Sequence, residues 1–284
     1  MANNTFIKLP FFLLLYLGII LILPLTLLFT QGFQGTVKEL ICIATDPVAI
    51  HTYWITIKLA LIACGFNTFF GLLLAWVLVR YDFRGRDFLD VCIDLPFALP
   101  TAVAGLTLSV VYGREGILAQ FGEHIPMFVL SSETRVCLAM IFVSLPFVVR
   151  TIQPVLQSMN AEFEEVARIL GASDWDVFET IVFPRVRPSL VAGASLGLSR
   201  SLGEYGSIVI LSSNLPFEDL VTPVLIFQKL EQYDYRSASI IGLTILSLSM
   251  LILLCLTFSQ SLQILFDSVN HFFKMIHSKI FFKM

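Results

Sequence analysis

Apolar residues occupy this chain in long stretches separated by short polar ones. Crossing about 30 Å of hydrocarbon takes roughly 20 apolar residues in a helix. Runs of that order fall at residues 11–30, 53–79, 89–112, 136–152, 189–212 and 238–266. The pattern predicts an all-α polytopic protein in a lipid bilayer, with about six transmembrane helices. Lys8 alone precedes the first run and no small-x-small cleavage site follows it, which reads as a retained helix rather than a signal peptide. The fourth run is short and bracketed by Arg135 and Arg150, whose long side chains would snorkel toward the two interfaces. The fifth contains Arg200 and Glu204, which any hydropathy count penalises.

Basic residues give the orientation. Lys8, then Arg80, Arg84 and Arg86, then Arg150, Arg168, Arg185 and Arg187, then Lys274, Lys279 and Lys283 fall on one side of the predicted spans. Lys38, Arg114, Arg135, Lys229 and Arg236 fall on the other, and Lys58 and Arg200 lie inside runs. Positively charged loops stay inside, so both termini are expected on the cytoplasmic side. An even number of spans agrees with that.

Composition points the same way: 57% of the 284 residues are hydrophobic and only 14% charged. A soluble domain carries about 25% charged residues, so this chain lacks the polar groups to cover a surface in water. Five cysteines without a C-x-x-C pair, and histidines without ligand spacing, predict packing residues and no metal site. Nothing suggests a nucleic-acid partner.

The longest gap between runs, residues 153–188, lies on the predicted cytoplasmic side. Phe163, Val166, Ala167 and Leu170 fall at i, i+3, i+4 and i+7, the stripe of a short amphipathic helix. Gly171 follows as a C-terminal cap would. Ser173 with Asp176 three residues later reads as a capping box, opening a second helix with apolar Trp175, Phe178 and Val182 that Pro184 is expected to stop. The predicted product is a helix–Gly–helix hairpin at the membrane surface. On pattern alone it could equally be an ordinary connector.

The spacing is more specific. Glu165-Val-Ala167, Gly171 six residues after the glutamate, Ile181 and Pro184 together resemble the EAA loop of ABC importer permeases, here spanning about residues 161–184. Val166 and Phe183 depart from the usual residues while remaining apolar. The resemblance implies a type I importer permease fold, with Glu165, Ala167 and Gly171 docking into a cleft of an ATPase subunit. No G-x-x-x-x-G-K-[ST] occurs in the chain. ATP and its Mg are therefore expected on a separate polypeptide, with no cofactor on this chain and no enzymatic activity of its own.

Further stretches resemble the T-subunit branch of the sulfate/thiosulfate permeases: Asp94-Leu-Pro96 through Gly105, Leu145-Pro146 through Leu156, Gly203-Glu204-Tyr205-Gly206-Ser207 and Lys229 through Tyr235. The likeness covers about residue 53 to the end of the last run. It divides the chain into an N-terminal helix and outer loop (1–52), a permease domain (53–266) and a cytoplasmic tail (267–284). It implies a sulfate importer with a second, related permease subunit, two ATPase subunits and a soluble sulfate-binding protein outside.

The same stretches carry physics of their own. Pro96, Pro100 and Pro146 remove backbone donors inside apolar runs and are expected to break helices, either as packing kinks or along a transport path. Arg200 and Glu204, four residues apart, share a helix face; such a pair either lines the pathway or locks the structure. Asp90 and Asp94 read as solvated carboxylates near the cytoplasmic interface. The outer loops hold more acid than base: Glu39, Asp46, Glu115, Glu123, Glu133, Glu218, Asp219, Glu231 and Asp234 outnumber the basic residues there. That is no funnel for an anion, so charge does not derive sulfate, and selection would fall to the outside binding protein. Molybdate or another oxyanion is the near alternative; a secondary carrier and an integral membrane enzyme are the remote ones. The 26 phenylalanines, a C-terminus of Ile, Phe and Lys, and no transit peptide suggest an AT-rich genome. A plastid inner envelope is the favoured location and a bacterial inner membrane the other.

Overall fold

The computed structural model describes residues 13–113, 116–118 and 131–281, with side-chain surroundings through residue 258. The charges counted at Lys8, Arg114, Glu115, Glu123 and Lys283 lie outside those residues. Every regular element among the described residues is helical. Among the described residues, four helices are long and apolar enough to cross a membrane: α1 (Leu13–Gly32), α3 (Pro47–Arg80), α7 (Ser132–Ser158) and the first part of α13 (Tyr235–Phe281). A short helix, α2 (Val37–Ala44), joins α1 to α3.

The other two predicted runs are interrupted. Residues 86–112 form α4 (Arg86–Ile93), α5 (Leu95–Ala98) and α6 (Thr101–Tyr112). Leu99 (φ −89°, ψ 132°) and Pro100 (φ −55°, ψ 135°) are extended, because the proline ring drives the preceding residue out of helical space. Pro96 sits in the first turn of α5, where its missing N–H costs nothing. The fifth run divides into α10 (Phe183–Leu202) and α11 (Gly206–Leu211).

Two prolines behave otherwise than predicted. Pro146 does not break its helix; α7 runs through both it and Pro154. A proline removes one hydrogen bond, whereas the surrounding turn of α7 holds Val148, Val149 and Ile152 fully buried. Pro184 does not stop its helix either. α9 (Asp174–Val177) passes through a π-helical turn, Phe178–Val182, directly into α10. The wider turn loosens the backbone just where the proline ring would clash with the carbonyl four residues back.

Chain contacts divide the molecule into two units. In the first, residues 1–56 with 214–248, α12 (Thr222–Glu231) is tied to α3: the Thr222 N–H donates to Thr56 Oγ1 at 2.8 Å. Arg236 pairs with Glu39 at 2.6 Å.

The second unit, residues 57–213 with 249–284, contains the core: Ala75, Leu78, Val148, Val149, Ile152, Leu156, Val182 and Val186 interlock from α3, α7, the π turn and α10. α10 lies close on α7 because Gly193 and Gly197 face it. A Cβ on Gly193 would stand 3.1 Å from Val148 Cα. A buried polar ladder crosses the three helices: Asn67 Nδ2 donates to Ser144 Oγ at 2.7 Å, and Ser201 Oγ to Ser144 Oγ at 3.0 Å. With no water in the bilayer core, partners inside the protein are what make such groups tolerable.

Two charge readings are also corrected. Arg135 does not snorkel; it is buried and donates to Ser132 Oγ at 2.8 Å. Arg150 is engaged by Asp90 and Asp94, so those carboxylates are ion-paired rather than simply solvated. A guanidinium offers five donors; Arg150 finds acceptors on the packed neighbouring segment, and Arg135 finds one on its own helix.

Candidate functional site

Both ends of the α9–α10 helix carry chemistry. At its start is the predicted hairpin. α8 (Glu162–Ile169) ends with Gly171 at φ +95°, a backbone that favours glycine. The Gly171 N–H donates to Arg168 O and the Ala172 N–H to Ala167 O, both at 3.0 Å, the paired closing bonds of a Schellman cap. The predicted capping box is present. Asp176 N–H donates to Ser173 Oγ at 3.2 Å, and Ser173 N–H donates to Asp176 Oδ2 at 2.9 Å. The Ser173 hydroxyl and amide hold the Asp176 carboxyl below the usual carboxylate range.

The hairpin's apolar stripe faces outward. Phe163, Val166 and Trp175 are exposed, and Ile169 and Leu170 stand 84% and 82% exposed. Glu165, Gly171 and Pro184 lie on this exposed side, whereas Ala167 and Ile181 turn inward and pack on the core. The site residues expected as one set therefore divide into a presented group and a supporting group.

What anchors the hairpin was not visible in the sequence. Glu164 is buried and ion-paired with Arg80 at the end of α3. Arg80 also lies over the Trp76 ring at 5.3 Å, and Trp76 meets Phe178 edge-on at 5.7 Å. Arg185 covers Phe163 from the second arm at 5.1 Å. In the run Glu162, Glu164, Glu165, nothing marked the middle member as buried, since its partner lies 84 residues away.

At the far end of α10 is the pair Arg200–Glu204, with Nη2 to Oε2 at 2.8 Å. Glu204 is 1% exposed. Its Oε1 accepts from the Ser207 N–H at 3.0 Å and the Ser207 hydroxyl at 2.8 Å, so it also caps the restart of the helix at α11. Arg200 is partly exposed, leaving the cation as the accessible half of the pair.

The two helix interruptions meet. A Cβ on Gly105 would lie 2.6 Å from Ser207 O, and one on Gly206 would lie 2.1 Å from Thr101 Oγ1. α6 and α11 thus touch backbone to backbone beside both breaks. Pro100 and Glu204, read separately in the sequence, belong to one junction. Pro146 lies outside it, within unbroken α7.

Residues 67–270 match the family of binding-protein-dependent transport system inner membrane components. A protein of Chlorokybus atmophyticus described as a probable sulfate transport system permease protein cysT is 51% identical over 251 residues, 88% of each chain. A protein of the same description from Marchantia polymorpha is 52% identical over 230 residues, covering 81% of this chain and 80% of its own. The sulfate transport system permease protein CysT of Synechocystis sp. is 44% identical over 247 residues, 87% of this chain and 86% of its own. Among solved structures, a chain of a bacterial ABC transporter that imports the acidic polysaccharide alginate superposes with a TM-score of 0.75. It is 17% identical and covers 90% of this chain and 94% of its own. A second structure of the alginate transporter, in complex with an alginate-bound periplasmic protein, superposes with a TM-score of 0.73. It is 18% identical and covers 89% of this chain and 92% of its own.

Proposed function

This chain belongs to the binding-protein-dependent transport system inner membrane components, and on that premise we propose how it works. It is the T-type permease subunit of a sulfate ABC importer, a transport subunit and not an enzyme. The observation that carries this reading is identity of about one half, over nearly the full length, with proteins described as sulfate transport permeases. The exposed hairpin supports the ATP-driven part. Apolar side chains on a polar-rimmed helix pair, left uncovered by their own chain, are the signature of a docking surface.

In this reading Glu165, Gly171 and the exposed stripe enter a cleft on a separate ATPase subunit, which holds ATP and Mg. Ala167 and Ile181, packed on the core, support the hairpin that presents them, with Pro184 on its exposed side. Two ATPase subunits serve two different permease subunits, of which this chain is one, and a soluble binding protein delivers the anion from outside. Because α9 continues into α10, the docking surface is joined by one rod of about 40 Å to the Arg200–Glu204 junction. Arg200, held in place by buried Glu204, is the cation available to an anion at the break. The membrane is a plastid inner envelope, with the termini on the side of the ATPase.

Uptake of labelled sulfate and of labelled molybdate by the assembled transporter tests this directly. Sulfate uptake that needs the ATPase is expected; uptake of molybdate alone would overturn the substrate, and uptake without any ATPase would overturn the mechanism. Affinity purification of the tagged chain should recover an ATPase and a second permease subunit.

A further inference from the structure

The joint between α5 and α6 is bordered by a polar clasp that neither hairpin nor junction uses. Arg150 of α7 turns every face of its guanidinium to an acceptor. Nε donates to Asp94 Oδ1 at 2.7 Å, and Nη2 to Asp94 Oδ2 at 2.6 Å and to the Asp90 carbonyl at 2.8 Å. Nη1 donates to Asp90 Oδ1 at 2.7 Å and to Gln153 Oε1 at 2.6 Å. Gln153 Nε2 closes the ring on Asp90 Oδ1 at 3.0 Å.

Three features distinguish this cluster from a static brace. First, Asp90 and Asp94 keep 41% and 47% of their side chains exposed, so water replaces the lost partners on opening and separation is inexpensive. The Glu164 side chain in the hairpin anchor is 7% exposed, where separation would strand a buried charge. Secondly, α4 has a narrow apolar attachment, Ile93 in the core and Leu89 packed partly buried against it. Ile93 is its one buried residue, while Phe88 and Val91 point away from the chain. A segment so held opens at lower cost than the packed core. Thirdly, the extended pair Leu99–Pro100 follows at once. Before that joint the chain is held on α7, by the clasp and by Phe97 edge-on to Phe147 at 5.0 Å. After it, α6 is held mainly on α11, at Gly105, while keeping a smaller contact with α7.

We propose that the Arg150–Asp90–Asp94 clasp is a reversible latch: closed, it couples α4 and α5 to α7, and it opens once in each transport cycle. Only a short link, residues 159–161, separates the end of α7 from the hairpin's first arm, so a load on the hairpin reaches Arg150 across that link and two turns of α7. Arg150 is thus a positioning residue, acting on the junction through α5 and not by touching the anion. The latch rests on the reading above that the hairpin is loaded by a separate ATPase.

The test uses the whole transporter in proteoliposomes. Arg150→Gln should raise ATP hydrolysis in the absence of the binding protein roughly fivefold, and lower anion uptake per ATP by a similar factor, at the low end of coupling between sites. Arg150→Lys keeps the charge and loses the fork, and should fall between. In a cysteine-free background, Phe97→Cys with Phe147→Cys, which leaves all four clasp residues in place, joined by a short cleavable thiol linker should stop uptake and regain it on cleavage. Without linker, the Phe147→Cys variant should label faster when the ATPase is trapped in its nucleotide-closed state. A linked transporter working at the unlinked rate, equal labelling in both states, or Arg150→Gln with unchanged hydrolysis and coupling would overturn the latch. Hydrolysis and labelling do not depend on which anion is carried, so they judge the latch even if the unmodified assembly takes up no sulfate.

Discussion

The two ends of the α9–α10 helix are built in opposite ways. At the hairpin, apolar side chains point outward, the glycine at the bend meets nothing, and the bonds that close it are local. At the junction, a carboxylate is sealed inside by an arginine four residues back and a serine three residues on, and two glycines permit backbone contact with another helix. The first end leaves its apolar side chains uncovered by its own chain and tolerates change within it. The second is complete, and any added atom must displace something.

The contrast orders the expected effects of substitution. Glu204→Ala leaves Ser207 without its acceptor and Arg200 without its partner, and should destabilise the protein by about 3–5 kcal/mol. Thermal unfolding in detergent measures it, and an unchanged midpoint would mean the junction is not a buried lock. Gly105→Ala places a methyl group against the Ser207 backbone, which cannot rotate away. A loss of about 1–3 kcal/mol with uptake near zero is expected. Gly171→Ala has open space but the wrong φ, so strain of about 1–2 kcal/mol should stay in the hairpin. Uptake should fall while membrane insertion is normal, and Gly171→Pro should abolish transport with the protein still inserted.

Ile169→Ser and Leu170→Ser separate the two ends most sharply. Both side chains are almost fully exposed, so stability should move by less than about 0.5 kcal/mol while co-purification of the ATPase is lost. Retained co-purification would remove the docking role. The smallest effect concerns pH. The Asp176 carboxyl is lowered when folded, so its contribution is present above the ordinary carboxylate range and disappears as pH falls through the lowered value. Amide exchange in the first turn of α9 should quicken at that acid limb, and Asp176→Asn should remove the step.

Legibility followed the distance between partners. Gly171, Ser173 and Asp176 were readable because a cap involves residues within one turn. The outward stripe was readable as a stripe, but its direction was not, since a period of 3.6 says nothing about what covers the face. Arg80 with Glu164, and Arg150 with Asp90 and Asp94, were unreadable: these partners lie 84, 60 and 56 residues apart, and no local pattern selects them among the other charges. Prolines show the same limit. Pro100 breaks its run, whereas Pro146 and Pro184 do not.

By itself, then, the sequence determined the solvent, the helical class and the hairpin, because bilayer thickness, backbone hydrogen bonding and helix capping act on contiguous residues. Only the tertiary structure decided which proline became a joint, which glutamate was buried and which arginine found two carboxylates. Those outcomes depend on whether a neighbouring helix supplies packing or a partner for the group left over, and that neighbour is set by the fold rather than by the adjoining residues.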